Sequence, residues 1–290
     1  MARVLVLISS KSRTGAGALE KVKEELALQG HTVVDTGDHK NDPDPNEIIL
    51  KYKDQVDAVV IGGGDGSVSL SLPSLMKTKL PLLVVPLGTA NNLARTYELP
   101  TDIKIIVGML ESGKLVDVDL ATVNDIPFVN VAGLGLSTEI NLHVSKWLKR
   151  HFGVLAFMIT ALQLVFKMNP FRAFITVDGK EKIHTKSWQI SVCNGKHYGA
   201  GMVIKHNATL DDGKLHCLST EVEKWWQGFF LIQCFFKGKY NKDQELKLVE
   251  GCEMKIETIR KFKIDVDGDI KTETPAVFKV FPKSLRMWIP

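Results

Sequence analysis

The chain has 290 residues, 44% hydrophobic and 24% charged, which excludes a disordered, collagen-like or coiled-coil protein and leaves room for two cores. The balance of 37 Lys and Arg against 33 Asp and Glu gives +4, a mild excess that suits phosphates or an anionic membrane surface. It is too small to argue for nucleic acid, and no basic arm or stripe stands out. Cys193, Cys217, Cys234 and Cys252 form neither a CxxC pair nor a metal-ligand spacing and read as reduced, mostly buried thiols.

The first apolar run, Val4 to Ile8, is a short buried strand. It is shorter than a signal-peptide core of about 7–15 residues, so a cytoplasmic location is expected. Gly15 to Gln29 then spaces Leu19, Val22 and Leu26 as a helix does, with Gly30 at the C-terminal cap. His31 to Asp35 is extended, Asp44-Pro45 with Glu47 starts a helix that puts Ile48, Ile49 and Tyr52 on one face, and Val56 to Ile61 is a strand. Gly62 to Gly66 reads as a glycine loop, Ser67 to Met76 as a helix, and Pro81 to Val85 as a strand ending at Pro86. This alternation predicts a mostly parallel sheet covered by helices.

After about Leu120 the pattern changes to strands joined by short turns: Phe171 to Val177, Trp188 to Cys193, Lys214 to Leu218, Glu253 to Ile259 and Phe262 to Val266. Asp178-Gly179, Asp212-Gly213 and Asp267-Gly268 carry hairpin-type turn signals, so this half is expected to be antiparallel. Two helical segments interrupt it, Ser137 to Lys167 and Val222 to Lys237. The first holds the apolar stretch Gly153 to Phe166, which falls short of the about 17–25 residues of a membrane span and is interrupted by Thr160 and Gln163. Lys149, Arg150 and His151 before it and Lys167 and Arg172 after it leave two readings, a buried core helix or an interfacial one. In the second, Trp225, Trp226, Phe229, Phe230, Phe235 and Phe236 read first as core packing. The other reading turns Trp225, Phe229 and Phe236 to lipid, with Lys237 and Lys239 toward headgroups.

The run VDAVVIGGGDGSVS places glycines between a buried strand and a helix, where backbone N–H groups and the positive helix end converge on phosphate oxygens. It lacks the lysine of a Walker A loop and the usual GxGxxG spacing. Asp65 inside the loop would repel phosphate unless a Mg²⁺ ion lies between them, which makes it a candidate metal partner; the plainer reading is a cap. One unit later, PLLVVPLGTANNLA ends a strand at Pro86-Leu87-Gly88-Thr89 and opens a helix at Asn91-Asn92, with capping by Thr89 or Asn91 as the alternative to ligand binding. Both turns belong at the carboxyl ends of strands, where open α/β sheets bind ligands. The histidines form no HxxxH or HExxH pattern, and His197 and His206 read as ordinary residues.

Together these motifs resemble the diacylglycerol kinase catalytic-domain family, in its small stand-alone bacterial form. Gly63-Gly64-Asp65-Gly66-Ser67 stands for the family's GGDGT, and Pro86 to Asn92 for its PLGTxND. VNVAGLG at Val129 to Gly135, DDGKL at Asp211 to Leu215, DVDGD at Asp265 to Asp269 and TPAVFKVFP at Thr274 to Pro282 look like its later landmarks, in order. The resemblance implies an α/β nucleotide-binding domain over 1–120 and a C-terminal β-sandwich substrate domain over 121–282, with an active site between them. The tail 283–290 is a candidate return to the first domain.

It further implies an ATP- and Mg²⁺-dependent lipid kinase that phosphorylates diacylglycerol to phosphatidic acid. Ser9, Ser10, Lys11, Ser12, Arg13, Thr36, Gly63, Gly64, Asp65, Gly66, Ser67, Val68, Ser69, Gly88, Thr89 and Asn92 would bind the nucleotide. Asp267 would be the base that accepts the hydroxyl proton, with Asp269 in place of the family's glutamate. Asp65 and Asp119 would hold one Mg²⁺; Asp212 with Thr209 and Lys214 would hold a second, structural one through one carboxylate and backbone carbonyls.

The chain departs from the family pattern at several places. The N-terminal loop reads Ser9 to Arg13 instead of NPxSG, Ser69-Leu70 replaces an Asn-Glu pair, and Asn92 replaces an aspartate. Those departures keep a nucleotide-binding sensor without catalysis as an alternative. A sphingoid-base or ceramide kinase is another, while an NAD kinase is disfavoured because Leu93-Ala94 stands where that family holds a ribose with an acid. The expected partners are ATP and a lipid reached by transient peripheral contact with the inner membrane surface. The sequence leaves the oligomeric state open, a homodimer included.

Overall fold

The computed structural model describes residues 1–8, 15–36, 44–88, 90–143, 160, 164, 169–199, 202–205, 208–221 and 246–290. They form two compact units, Met1–Leu120 with Pro282–Pro290, and Ala121–Phe281.

The first unit runs β1 (Arg3–Ile8), α1 (Gly15–Leu28), β2 (Thr32–Asp35), α2 (Pro45–Tyr52), β3 (Ala58–Gly63), α3 (Asp65–Thr78), β4 (Leu82–Pro86), α4 (Asn92–Thr96), α5 (Ile103–Ser112) and most of β5 (Lys114–Val123). Its strands lie parallel in the order β2-β1-β3-β4, so the winding reverses between β1 and β3. Val4–Val6, Ala58–Ile61 and Leu82–Val85 are buried, as strands covered by helices on both faces must be. Leu19, Val22 and Leu26 bury the inner face of α1, and Gly30 at φ 80 ends that segment in the left-handed region that favours glycine.

Pro73 lies inside α3, where it supplies no N–H and breaks the ladder. Asn46 of α2 repairs the neighbouring rung. Its Nδ2 donates to Leu70 O at 2.7 Å and its Oδ1 accepts from Ser74 N at 3.0 Å, replacing the bond those two backbone groups would otherwise make. Asp44 fixes Asn46 in turn by accepting from its backbone N and its Nδ2.

The second unit continues through β6 (Ile126–Phe128), β7 (Val131–Gly135), α6 (Leu136–His143), β8 (Phe171–Val177), β9 (Ile183–Ser187), β10 (Gln189–Asn194), β11 (His197–Gly199), β12 (Met202–Val203), β13 (Leu215–Thr220), β14 (Leu246–Gly251), β15 (Glu253–Thr258), β16 (Lys263–Val266), β17 (Asp269–Glu273) and the start of β18 (Ala276–Ile289). One antiparallel sheet has the order β14-β13-β10-β7-β16-β17. In the other, the start of β18 pairs with β15, β15 with β8, and β8 with β9. Phe128, Ile190, Val192, Met254, Ile256, Ile264 and Phe278 form the core of this β-sandwich. The far end of β18 belongs to the first unit, where Met287 pairs in parallel with Leu82.

Asp178-Gly179 and Asp267-Gly268 do join antiparallel pairs, β8 to β9 and β16 to β17, with φ of 48°, 68°, 50° and 100° along the two dipeptides. Asp212-Gly213 differs from the expected hairpin. The strand after it, β13, pairs with β10 and β14, and Asp212 instead folds its own loop by accepting from Thr209 N and Lys214 N.

Of the two expected helical segments, α6 covers the start of the first, and the second, with Trp225, Trp226, Phe229, Phe230, Phe235, Phe236, Lys237 and Lys239, lies outside the described residues. The stretch 153–166 lies outside them except for Thr160 and Leu164. Among the described residues no helix is long and apolar enough to cross a membrane. Cys193 and Cys217 are buried free thiols and Cys252 is an exposed one, while Cys234 and His206 lie outside the description. Burial pushes the Cys217 thiol up to about 12.

Candidate active site

The expected five-residue glycine loop is a single residue in the structure. Gly62 and Gly63 finish β3, Gly64 is the N-cap, and α3 begins at Asp65. The reason is steric: a Cβ on Gly62 would lie 2.5 Å from the Ile8 side chain, and one on Gly63 would lie 2.2 Å from Ser67 Oγ. Glycine thus lets a buried strand turn straight into a helix, whose first N–H groups project beyond the carboxyl edge of the sheet. Val68 and Ser69, assigned above to the nucleotide, are 2% and 3% exposed, so their side chains pack inward on α3.

The turn after β4 lies against this one. Leu87 N donates to Gly63 O at 2.9 Å, and a Cβ on Gly88 would lie 2.4 Å from Gly64 Cα. Asn91, at φ 48, opens α4 but makes no side-chain cap; its Nδ2 donates to Gly88 O instead. The cap comes from the other turn. Asp65 Oδ2 accepts from Asn92 N at 2.9 Å and Oδ1 from Leu93 N at 3.0 Å, so a carboxylate at the head of α3 seals the positive end of α4.

Asn91 Oδ1 and Asn92 Oδ1 are buried without a hydrogen-bond partner in the structure, an arrangement that ordinarily costs about 1–3 kcal/mol per group. Amide oxygens and the Asp65 carboxylate are hard oxygen donors, the kind a divalent cation takes while it keeps its remaining contacts for phosphates and water. Asp119 is elsewhere engaged: it is 1% exposed and its Oδ1 accepts from Lys283 N, tying the returning tail to β5. Thr36 follows β2, its N–H donating to Asp35 Oδ1, and Ile8, the last residue of β1, pairs with Gly62. Ser9, Ser10, Lys11, Ser12 and Arg13 follow Ile8 and, like Thr89, lie outside the described residues.

In the second unit the candidate base sits at the β16–β17 turn. Asp267 has φ 50, and three N–H groups converge on its carboxylate: Val129 N on Oδ2 at 2.9 Å, Asn130 N on Oδ1 at 3.0 Å and Val131 N on Oδ1 at 3.1 Å. Its own N–H donates to Val131 O, so side chain and backbone are both fixed to the β6–β7 connection. Asp265 closes the turn by accepting from Gly268 N and from Asn141 Nδ2 of α6. Asp269 begins β17 and is exposed.

The turn around Asp212 brings Thr209 and Lys214 together through their N–H groups, which donate to its carboxylate. It also gathers His216, which sequence reasoning missed. That ring is 1% exposed, with Nε2 3.0 Å from Asp212 Oδ2 and Nδ1 3.7 Å from Glu250 Oε2, and Lys205 Nζ lies 2.8 Å from the same Glu250 oxygen. Burial by itself would raise the Asp212 carboxyl, but the contacts from His216, Lys214 and Thr209 outweigh it and hold it below the usual range.

These turns are the landmarks of a known family. The description "Diacylglycerol kinase catalytic domain" matches residues 3–123, and "YegS C-terminal NAD kinase beta sandwich-like domain" matches 130–289. The chain belongs to the diacylglycerol kinase catalytic-domain family. An uncharacterized protein of Synechocystis, sll0036, is 31% identical over 80% of this chain, which spans about half of that relative, 54% of its length. A diacylglycerol kinase of Mycobacterium tuberculosis is 28% identical over 81% of this chain and 77% of its own. The crystal structure of a diacylglycerol kinase from Bacillus anthracis shares the fold, with TM-score 0.74 at 20% identity, covering 99% of this chain and 97% of that one.

Within this diacylglycerol kinase family member, Asn46 and His216 are the residues that the motifs left unread. Asn46 had a local signal, following an Asp44-Pro45 helix start; its second task depends on Pro73, far along the chain. His216 had no signal, since its partners come from a loop and from the neighbouring strand β14.

Proposed function

We propose that this chain is a lipid kinase that transfers the γ-phosphoryl group of ATP to the hydroxyl of diacylglycerol, giving phosphatidic acid and ADP. The observation that carries this reading is the fixed carboxylate of Asp267, held by the N–H groups of Val129, Asn130 and Val131. Phosphoryl transfer asks the protein for a positioned proton acceptor and for electrostatic support of the phosphates. The acceptor oxygen forms a bond to the γ-phosphorus, the bond to the β,γ-bridging oxygen breaks, and the hydroxyl proton passes to the Asp267 carboxylate. The glycine turns at Gly63–Ser67 and Gly88 support the phosphates with backbone N–H groups. Mg²⁺ accompanying the nucleotide would be held by Asp65 and the Asn92 amide oxygen, and it supplies neutralisation of the β- and γ-phosphate charge. The acceptor is reached by peripheral association with the cytoplasmic face of a membrane.

The test is transfer of label from Mg-ATP in mixed micelles to diacylglycerol, ceramide, sphingosine, monoacylglycerol or soluble NAD⁺. Label is expected in diacylglycerol, and D267N is expected to lower the rate by about 10²–10⁴. Label in a different acceptor reassigns the substrate. Bound ATP with no label in any acceptor overturns the kinase reading in favour of a nucleotide sensor.

A further inference from the structure

The second unit holds a cavity of about 550 Å³ at the end of the sandwich where β8 begins and β15 turns into β16. Its volume lies within the range of ligand pockets, about 300–1,000 Å³. The floor is aromatic: Phe171 and Phe262, both buried, stack with ring centroids 4.3 Å apart. On the rim, Ile259 is 75% exposed, an apolar side chain held in water beside two guanidiniums, Arg172 and Arg260. Arg260 Cζ lies over the Phe262 ring, 4.7 Å from its centroid, a cation–π contact that steadies the guanidinium. Neither arginine has a carboxylate partner among the described residues. The acid on the rim, Glu139, faces His143 on its own helix, 3.5 Å from Nδ1.

Two forked cations around an aromatic floor, with one exposed apolar residue on the same rim, match an amphiphile whose phosphate precedes its hydrocarbon. We propose that this cavity docks the phosphate of an acidic phospholipid in a bilayer, with Arg172 and Arg260 on the phosphate oxygens and Ile259 entering the acyl boundary. Its lining includes neither the glycine-turn residues nor Asp267, and the docking requires no phosphoryl transfer. It would hold the protein on an anionic surface whatever lipid the active site accepts.

Co-sedimentation of the full chain with vesicles tests this without ATP or diacylglycerol present, so the result does not depend on the kinase reading. Vesicles of phosphatidylglycerol in phosphatidylcholine should bind the protein, and vesicles of phosphatidylcholine should bind it at least about tenfold more weakly. With about fivefold per arginine near an anionic surface, R172A/R260A should lose roughly thirtyfold in vesicle affinity. I259E should also weaken binding, because it places a charge at the acyl boundary. K23A/K53A removes equal charge from the other unit and should stay within about twofold. All these positions are on the surface, and thermal melting confirms folding. The proposal is overturned if the wild-type chain ignores phosphatidylglycerol, if R172A/R260A binds as the wild type does, or if K23A/K53A weakens binding equally.

Discussion

Asp65 in the first unit and Asp267 in the second are both carboxylates gripped by backbone N–H groups, yet they reach that grip by different routes. Asp65 stands at the head of one helix and caps another, and the two turns touch backbone to backbone because Gly64 and Gly88 carry no side chains. Asp267 stands in a tight hairpin turn at positive φ, with open space beyond Gly268, and its donors come from one preceding connection. The first arrangement depends on close approach, the second on backbone conformation. A methyl group should therefore hurt the two sites for different reasons and by different amounts.

The sharpest way to break the comparison is G88A. Its Cβ would meet Gly64 Cα at 2.4 Å and Asn91 Oδ1 at 2.6 Å, so two backbones must part. A loss of about 3 kcal/mol in urea unfolding is expected, with nucleotide binding lost alongside it. G268A meets no atom but must adopt φ 100, and about 1–2 kcal/mol is expected. Equal costs at the two positions would show that the contact between the glycine turns is not tight.

D65N sharpens the comparison on the side of charge. The amide keeps one acceptor for two N–H donors and loses the negative charge at the positive end of α4. The expected cost is about 1–2 kcal/mol, together with weaker binding of Mg-ATP by calorimetry.

A smaller effect is expected where the first unit repairs itself. N46A should cost about 1 kcal/mol, since Leu70 O and Ser74 N lose their partners. In a P73A background the helix can close its own ladder, so the same substitution should cost less than half as much, read from a double-mutant cycle.

Asp57 gives the smallest effect and serves as the exposed counterpart of Asp65. The side-chain and backbone hydrogen bonds from Arg3, 3.2 Å from Arg3 Nη2 and 2.8 Å from Arg3 N, hold its carboxyl below the ordinary range. A carboxyl lowered in the folded state stabilises above its unfolded value of about 3.9, and that contribution disappears as pH falls below it. Its side chain is 49% exposed, so water and salt screen the pair and D57N should cost under about 1 kcal/mol at neutral pH. The difference between D57N and the wild type should vanish in acid, as followed by melting temperature against pH.

Much of this architecture was legible from local pattern. The apolar run Val56 to Ile61 has the composition of a strand covered on both faces, and it became β3 at Ala58–Gly63. Phe171 to Val177 alternates inward and outward and became β8 over the same residues, with Phe171, Ala173, Ile175 and Val177 turned inward. The turn chemistry of Asp178-Gly179 and Asp267-Gly268 marked true hairpins for the same reason, since a type of turn is set by the φ its own residues tolerate. Asp212-Gly213 carries the same signal yet closes no hairpin. Its loop is held by His216 and by backbone N–H groups that its carboxylate attracts, and those compete with hairpin closure.

The sequence by itself determined the alternation of strands and helices in the first unit, the change to antiparallel strands in the second, and the glycines at strand ends. These are consequences of side-chain period and of which residues accept a given φ, and both act within a few residues. The tertiary structure decided which groups meet. Asp65 takes N–H donors 27 and 28 residues onward, Asp267 takes donors up to 138 residues back, and Asn46 completes a helix to which it does not belong. Such partners are chosen when strands register and elements pack, because hydrogen bonding acts over about 3 Å and carries no record of separation along the chain.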